Sequence, residues 1–305
     1  DVTPIAQFTS SDSVFAEVSS EGIVNAGKLT GEAAIMARYE GNFALMRVSM
    51  PLPGDVPESY YASLPRVNFI DDHIWASLQR LRLKASAPCN DSTYLRRVTI
   101  DIAGRVPTVA EVQAFLADPS PTKRETAVER LLASPEYAWH WANKWADLLR
   151  PNPYHVGIKA TVTYDNFIRD SFRKNKPYDL FVRELLTARG STWRDGQTVM
   201  FRDRRAPDEL TTIVSQLFLG TRLECAKCHH HPFEVWGQKD YYGFAAYFGR
   251  IGRKGTGISA PISGSEELIF TARSGEVTHP LNGQVLPPTP LFGKAPEIAE
   301  GADRR

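Results

Sequence analysis

Along the first fifty residues the apolar positions come in short runs of strand character. Ala33 to Tyr39 and Phe43 to Met50 are two such runs, parted by Glu40-Gly41-Asn42, a turn signal of hairpin type. Val14 to Val18 leads through Ser20-Glu21-Gly22 into Ile23-Val24, and short strands at this spacing predict a β-sandwich. After Pro65 the period turns helical. Ile70, Ile74, Leu78 and Leu81 recur at i, i+4, i+8 and i+11, one face of a helix. Thr108-Val109-Ala110-Glu111 fits a capping box, with Gly104 and Pro107 ending the helix before it. Ser134-Pro135 supplies an N-cap and a proline at the first helical position, opening a helix to about Leu149. Asn175 to Pro177 parts two further helices, the second closed by Gly190, and Asp208 to Leu219 makes one more, ended by Gly220. Beyond Gly249 the chain is rich in Gly, Ser and Pro. There Glu267 to Ala272 and Glu276 to His279 predict a small hairpin around Ser274-Gly275.

These patterns predict a multidomain chain. A partial β-sandwich covers 1–53, and a proline-rich linker, opened by Pro51-Leu52-Pro53-Gly54, covers 54–64. A mostly α-helical domain follows over 65–250, then an irregular, hairpin-containing segment over 251–305. A length of 305 residues agrees with two or three domains. Hydrophobic content of 42% and charged content of 23% are those of a folded protein, and a net charge of +1 points to no nucleic-acid partner. The one basic run, Arg202, Arg204 and Arg205, is diluted by Asp203 and Asp208 and reads as a solvated surface. No apolar run approaches the ~18 residues that a membrane span needs. Asp1-Val2-Thr3 opens directly into strand-like sequence, so the expectation is a removed signal or a start inside a longer precursor. Three cysteines exclude a disulfide scaffold, and Cys89 reads as a lone thiol.

The chemistry concentrates in Cys225-Ala226-Lys227-Cys228-His229, a C-x-x-C-H pattern of the kind that attaches c-type haem. Two thiols on a single turn can each add to one vinyl group of a porphyrin, and the next imidazole then lies beneath the iron. A thioredoxin-like redox pair needs a strand-to-helix turn in a βαβ unit, which the helical surroundings do not offer. A zinc site built from Cys225, Cys228 and two of His229, His230 and His231 is the serious competitor. Three adjacent histidines, however, do not easily aim two tetrahedral ligands from so short a loop. Candidates for the second axial position are His140, among Trp139, Trp141 and Trp145, together with His155 and Met200. A Met/His pairing would raise the reduction potential. His231 reads as a hydrogen-bonding group, a propionate-side group or an ordinary turn residue, and His73 and His279 are remote in sequence.

The run from Leu223 to Trp236, followed by Gln238 to Phe248, resembles the planctomycete cytochrome-c-like domain, a family first catalogued as a domain of unknown function. Asp91 to Pro107 and Asn175 to Ala188 match it further, in the right order, over roughly 65 to 250. The resemblance implies covalent haem at Cys225 and Cys228 with His229 as the iron's proximal ligand. The chain departs from the family at His230, where an acidic residue is usual, and at Lys227, where glutamine is usual. Ser10 to Val18, Glu21 to Ala26 and Gly31 to Tyr39 together resemble the later part of a bacterial immunoglobulin-like domain of group 2. Its first strands would come from sequence before Asp1 or from another chain. The family commonly stands between such a domain and a second planctomycete-specific one, and Asp303-Arg304-Arg305 looks like the junction to that second domain.

The expected function is therefore binding of one covalent haem c for electron transfer, within an exported cell-envelope protein that meets a redox partner. The periplasm or the cell surface follows, because covalent haem is attached after export. A haem-dependent redox enzyme acting on peroxide or small ligands is the alternative. An extracellular scaffold or interaction protein with structural zinc is a further one.

Overall fold

The computed structural model describes residues 1–40, 42–231, 234–259, 264–295, 297–299 and 301–305. The chain divides into two compact units, Asp1–Pro88 and Cys89–Arg305.

The first unit opens with five strands: β1 (Gln7–Ser10), β2 (Ala16–Val18), β3 (Val24–Ala26), β4 (Gly31–Tyr39) and β5 (Asn42–Met50). β4 and β5 form the predicted antiparallel pair, in register from Gly31 opposite Met50 to Tyr39 opposite Asn42. Gly41 of the expected turn lies outside the described residues. β1 lies along the other edge of β4, and β2 pairs with β3 in a separate ribbon. A small core joins them, in which Ala16 of β2 meets Ala33 and Ile35 of β4, flanked by Phe15 and Val48. Within the proline-rich stretch a short helix, α1 (Glu58–Ala62), buries Tyr61, whose hydroxyl donates to the Leu83 carbonyl at 3.2 Å. α2 (Phe69–Arg80) follows where the 3.6-residue period predicts it. Asn68 caps it by accepting from the Ile70 N–H, and Asp71 reaches back to the Asn68 N–H.

The second unit is mostly helical. Its helices are α3 (Asp91–Ala103), α4 (Val109–Ala117), α5 (Lys123–Leu132), α6 (Pro135–Leu149), α7 (Pro153–Val156), α8 (Ile158–Arg173) and α9 (Tyr178–Leu186). After β6 (Gly190–Ser191) come α10 (Val199–Asp203), α11 (Pro207–Phe218) and α12 (Gln238–Ala245). The caps read from sequence form as written. Thr108 Oγ1 accepts from the Glu111 N–H at 3.2 Å while Glu111 Oε2 accepts from the Thr108 N–H at 2.8 Å. Ser134 accepts from the Tyr137 N–H with Pro135 at the first helical position. The core lies among α6, α8, α9, α10 and α11, around Tyr164, Ile168, Leu185, Phe201 and Leu210. Trp145 stands edge-on to Phe181, with 5.1 Å between ring centres.

Three expectations change. First, α9 stops at Leu186, and Gly190 begins β6 instead of ending a helix. Second, Glu267 to Thr271 belongs to β8 (Ser265–Thr271), which pairs with β6 on one side and β7 (Ile251–Ser259) on the other, in the order β6-β8-β7. β9 (Val277–Thr278) pairs instead with β10 (Val285–Leu286). Between β8 and β9 the chain passes close to Gly249: Gly275 has φ +135°, and a Cβ there would sit 2.1 Å from the Gly249 carbonyl oxygen. Third, the basic run is not a solvated face. Arg202 is buried, with its guanidinium on the Ser265 carbonyl, and Arg204 bonds to Asp203 at 2.7 Å and to the Leu149 carbonyl at 3.1 Å. Only Arg205, paired with Glu267, is exposed at its side chain. The terminal Arg305 is pinned as well, to Asp303 and the Ala188 carbonyl, with its guanidinium over the Phe201 ring.

Candidate functional site

The C-x-x-C-H segment sits between α11 and α12, held by a sequence of local restraints. Pro207 starts α11, and Glu209 Oε2 accepts from the N–H groups of Arg205 and Ala206 at 2.8 and 3.0 Å. Gly220, at φ +67°, turns the chain, and the Thr221 N–H returns to the Ser215 carbonyl. Leu223–Lys227 then forms a 3₁₀ turn. In such a turn residues three apart eclipse one another. Three ridges result. Leu223 and Ala226 form the buried one, packed with Tyr241 and Leu291. Glu224 and Lys227 form the second, which faces a cavity. Cys225 and Cys228 lie along the third, with both thiols exposed and free.

The turn is clamped from several sides. The N–H groups of Cys228 and His229 both donate to the Cys225 carbonyl at 3.3 Å. Gln238, first residue of α12, donates its side-chain amide to the carbonyls of Lys227 and Cys228 at 3.0 and 3.1 Å. Lys227 Nζ meets Asp208 Oδ2 at 2.7 Å, and the Tyr241 hydroxyl donates to the Asp208 carbonyl at 2.9 Å. The hydrogen bond from Lys227 holds the Asp208 carboxyl below its ordinary pKa, and Asp208 holds the Lys227 ammonium above its own. Burial pushes the Tyr241 phenol up.

The three histidines divide by role. His229 Nδ1 lies 2.6 Å from the His230 carbonyl oxygen. A carbonyl only accepts, so Nδ1 carries a proton, and in the neutral ring Nε2 keeps its lone pair. Metal-ligating histidines are held in this way, with the second ring nitrogen donating to a carbonyl or carboxylate. His230 is exposed, beside Gly237. His231 is buried; its Nε2 donates to the Arg222 carbonyl at 2.9 Å and its backbone N–H to the Trp236 carbonyl at 2.8 Å. Pro232 and Phe233 of the motif lie outside the described residues. Two thiols on one ridge, followed by an imidazole with a bare Nε2, suit covalent attachment of a porphyrin. Among the described residues no three His, Cys, Asp or Glu side chains are grouped to hold a metal ion. His231 has its Nε2 committed to the Arg222 carbonyl.

The remaining sequence candidates lie elsewhere in the unit. Met200 is fully buried in the main core beside Val199 and Phe201. His140 packs against the C-terminal glycine of α3: a Cβ on Gly104 would sit 2.2 Å from His140 Nδ1. His155, exposed on α7, turns Nδ1 toward Asp203 Oδ1 at 3.4 Å, a long ion-pair separation that leaves that oxygen without a well-formed hydrogen bond. Desolvation raises the pKa of Asp203, opposed by Arg204 and His155. What sequence reasoning missed is the cavity, of about 570 Å³, between the end of α6, the exposed side of α11 and the Glu224–Lys227 ridge. Leu148, Ile213 and Leu217 give it apolar walls, and Thr212 and Gln216 add polar groups. The i, i+4 spacing of Thr212 and Gln216, and of Ile213 and Leu217, was the available signal.

Residues 69–253, more than half of the chain, match the PSCyt2 family, described as a protein of unknown function (DUF1549). The chain belongs to this family. No curated protein and no solved structure matches it. Among the described residues no helix is long and apolar enough to cross a membrane.

Proposed function

We propose that the chain is a redox module carrying one covalent haem c, with Cys225 and Cys228 as the thioether residues and His229 as the iron's proximal ligand. The observation that carries this reading is the state of His229. Its Nδ1–H is engaged by the His230 carbonyl, so Nε2 is left for a metal, immediately after two exposed thiols on one ridge. When bound, the haem supplies a one-electron couple. The protein's part is to hold it: the thiol ridge anchors it, Gln238 and His231 keep the turn closed, and Lys227 and Asp208 neutralise each other alongside. Electron exchange with a redox partner in the cell envelope is the activity we assign. Export follows, since thioether formation belongs outside the cytoplasm. We read the N-terminal strands as belonging to an immunoglobulin-like domain.

The test is a pyridine haemochrome spectrum on protein produced with a haem-attachment system, with haem staining after denaturing electrophoresis. A c-type spectrum and haem that survives denaturation are expected. Covalent haem that persists in the Cys225→Ala, Cys228→Ala double variant would sink the assignment. Stoichiometric zinc without a Soret band would replace it with a structural metal site.

A further inference from the structure

The cavity between the end of α6, the exposed side of α11 and the Glu224–Lys227 ridge is lined mostly by charged side chains, and neither cysteine nor His229 takes part in it. Four of these charges are satisfied within the fold. Lys227 Nζ lies on Asp208 Oδ2 at 2.7 Å, Arg204 bonds to Asp203 and to the Leu149 carbonyl, and Glu209 accepts from the N–H groups of Arg205 and Ala206. The other three are not: the side chains of Asp147, Arg150 and Glu224 form no hydrogen bond or ion pair among the described residues. Asp147 and Arg150 come from the end of α6, and Glu224 from the turn before Cys225. Arg150 follows the last residue of α6 at φ +48° and ψ +58°, a left-handed conformation in which glycine is the usual residue. An arginine there keeps a free guanidinium in the cavity wall.

At about 570 Å³ the cavity has the size of a small-molecule site. A molecule that pairs with all three free groups carries two cations and one carboxylate. Leu148, Ile213 and Leu217 give the same cavity apolar walls, and Leu148 is 51% exposed, so an aliphatic stem between the charges would cover them. The chain itself shows the interaction, since Lys227 already lays an ammonium on a cavity carboxylate, that of Asp208. We propose that this cavity binds a free basic amino acid of the lysine and ornithine class, with its α-carboxylate on Arg150 and its two ammonium groups on Asp147 and Glu224. A neutral amino acid leaves one of the two carboxylates unpaired, and a diamine leaves Arg150 unpaired. The site is separate from the one assigned to haem, because Cys225 and Cys228 lie on a different ridge of the turn.

Isothermal titration of the full chain with L-lysine, L-leucine and cadaverine tests this. One L-lysine per chain is expected, bound more tightly than either of the others and less tightly as salt rises. Arg150→Gly removes the guanidinium while suiting the left-handed backbone, so it should weaken L-lysine binding roughly fivefold, the order of one solvent-exposed ion pair, without lowering the midpoint of thermal unfolding. Glu224→Gln, a change at an exposed position on the opposite wall, should weaken it to a similar extent, and it carries the decision if Arg150→Gly lowers the midpoint. No saturable binding of L-lysine overturns the proposal. L-leucine bound as tightly as L-lysine overturns the pairing with two carboxylates, and cadaverine bound as tightly overturns the role of Arg150. L-lysine binding that Glu224→Gln leaves unchanged places the amino acid elsewhere and overturns the assignment of the cavity.

Discussion

His231 Nε2 donates to the carbonyl oxygen of Arg222, nine residues back, at 2.9 Å, and so staples together the two ends of the segment that holds both cysteines. The middle histidine has no such role, since His230 points outward beside Gly237. Replacing His231 by Ala removes a buried donor and leaves a carbonyl unpaired, at a cost of about 1–2 kcal/mol. His231→Ala should therefore lower the urea midpoint and the yield of covalent haem together, while His230→Ala leaves both near wild type. Equal effects of the two variants would remove His231 from its stapling role.

Glu111 gathers three donors. Arg105 binds it in a fork at 2.8 and 2.9 Å, Arg130 adds a contact at 2.7 Å, and the Thr108 N–H completes the cap. The Arg105 hydrogen bonds, helped by Arg130 and the cap and opposed by burial, hold the Glu111 carboxyl far below the usual carboxylate range. A depressed folded pKa contributes stability above the unfolded value, near 4.3, and that stability is lost as pH falls through the folded value. Glu111→Gln should thus cost about 2 kcal/mol at pH 7, and progressively less below about pH 4. Urea midpoints at pH 7 and pH 3 check this; a difference that stays constant across that range contradicts the pairing.

What could be read from residues alone was local. Caps at Asn68, Thr108 and Ser134 involve partners within three residues, so a short window contains the whole interaction. Strand pairing was harder. β7 carries Gly252, Gly255 and Gly257 and has no alternating apolar face, and Ser191 of β6 finds Leu268 only in the folded chain. The buried state of Arg202 depends in the same way on the distant Ser265 carbonyl. At the site, Cys225 to His229 stood in the sequence as a pentapeptide. The division among His229, His230 and His231 did not, because it follows from which backbone carbonyl each ring reaches.

Gly104 ends α3 at φ +70°, with the His140 ring where a side chain would go. Gly104→Ala adds left-handed strain of about 1 kcal/mol to a direct clash, for a loss of about 2–3 kcal/mol. Combining it with His140→Ala relieves the clash and keeps the strain, so the double-variant cycle should show a coupling of about 1 kcal/mol or more. Purely additive losses in thermal unfolding would mean that His140 does not occupy that place and is available to another site.

Met200 provides the sharpest separation of packing from ligation. Its side chain has no exposed surface and lies in the core that Tyr164, Phe201 and Leu210 share. Met200→Ala should cost about 2–5 kcal/mol, the range for emptying a large buried side chain, whereas Met200→Leu conserves volume and should cost less than about 1.5 kcal/mol. A packing role predicts that Met200→Leu leaves the haem spectrum and its reduction potential untouched. A thioether on iron predicts the opposite: leucine cannot coordinate, so the low-spin spectrum would be lost and the potential would fall even with stability intact. Unfolding curves and spectra of the same Met200→Leu sample therefore decide between the two, because each role moves one measurement and not the other.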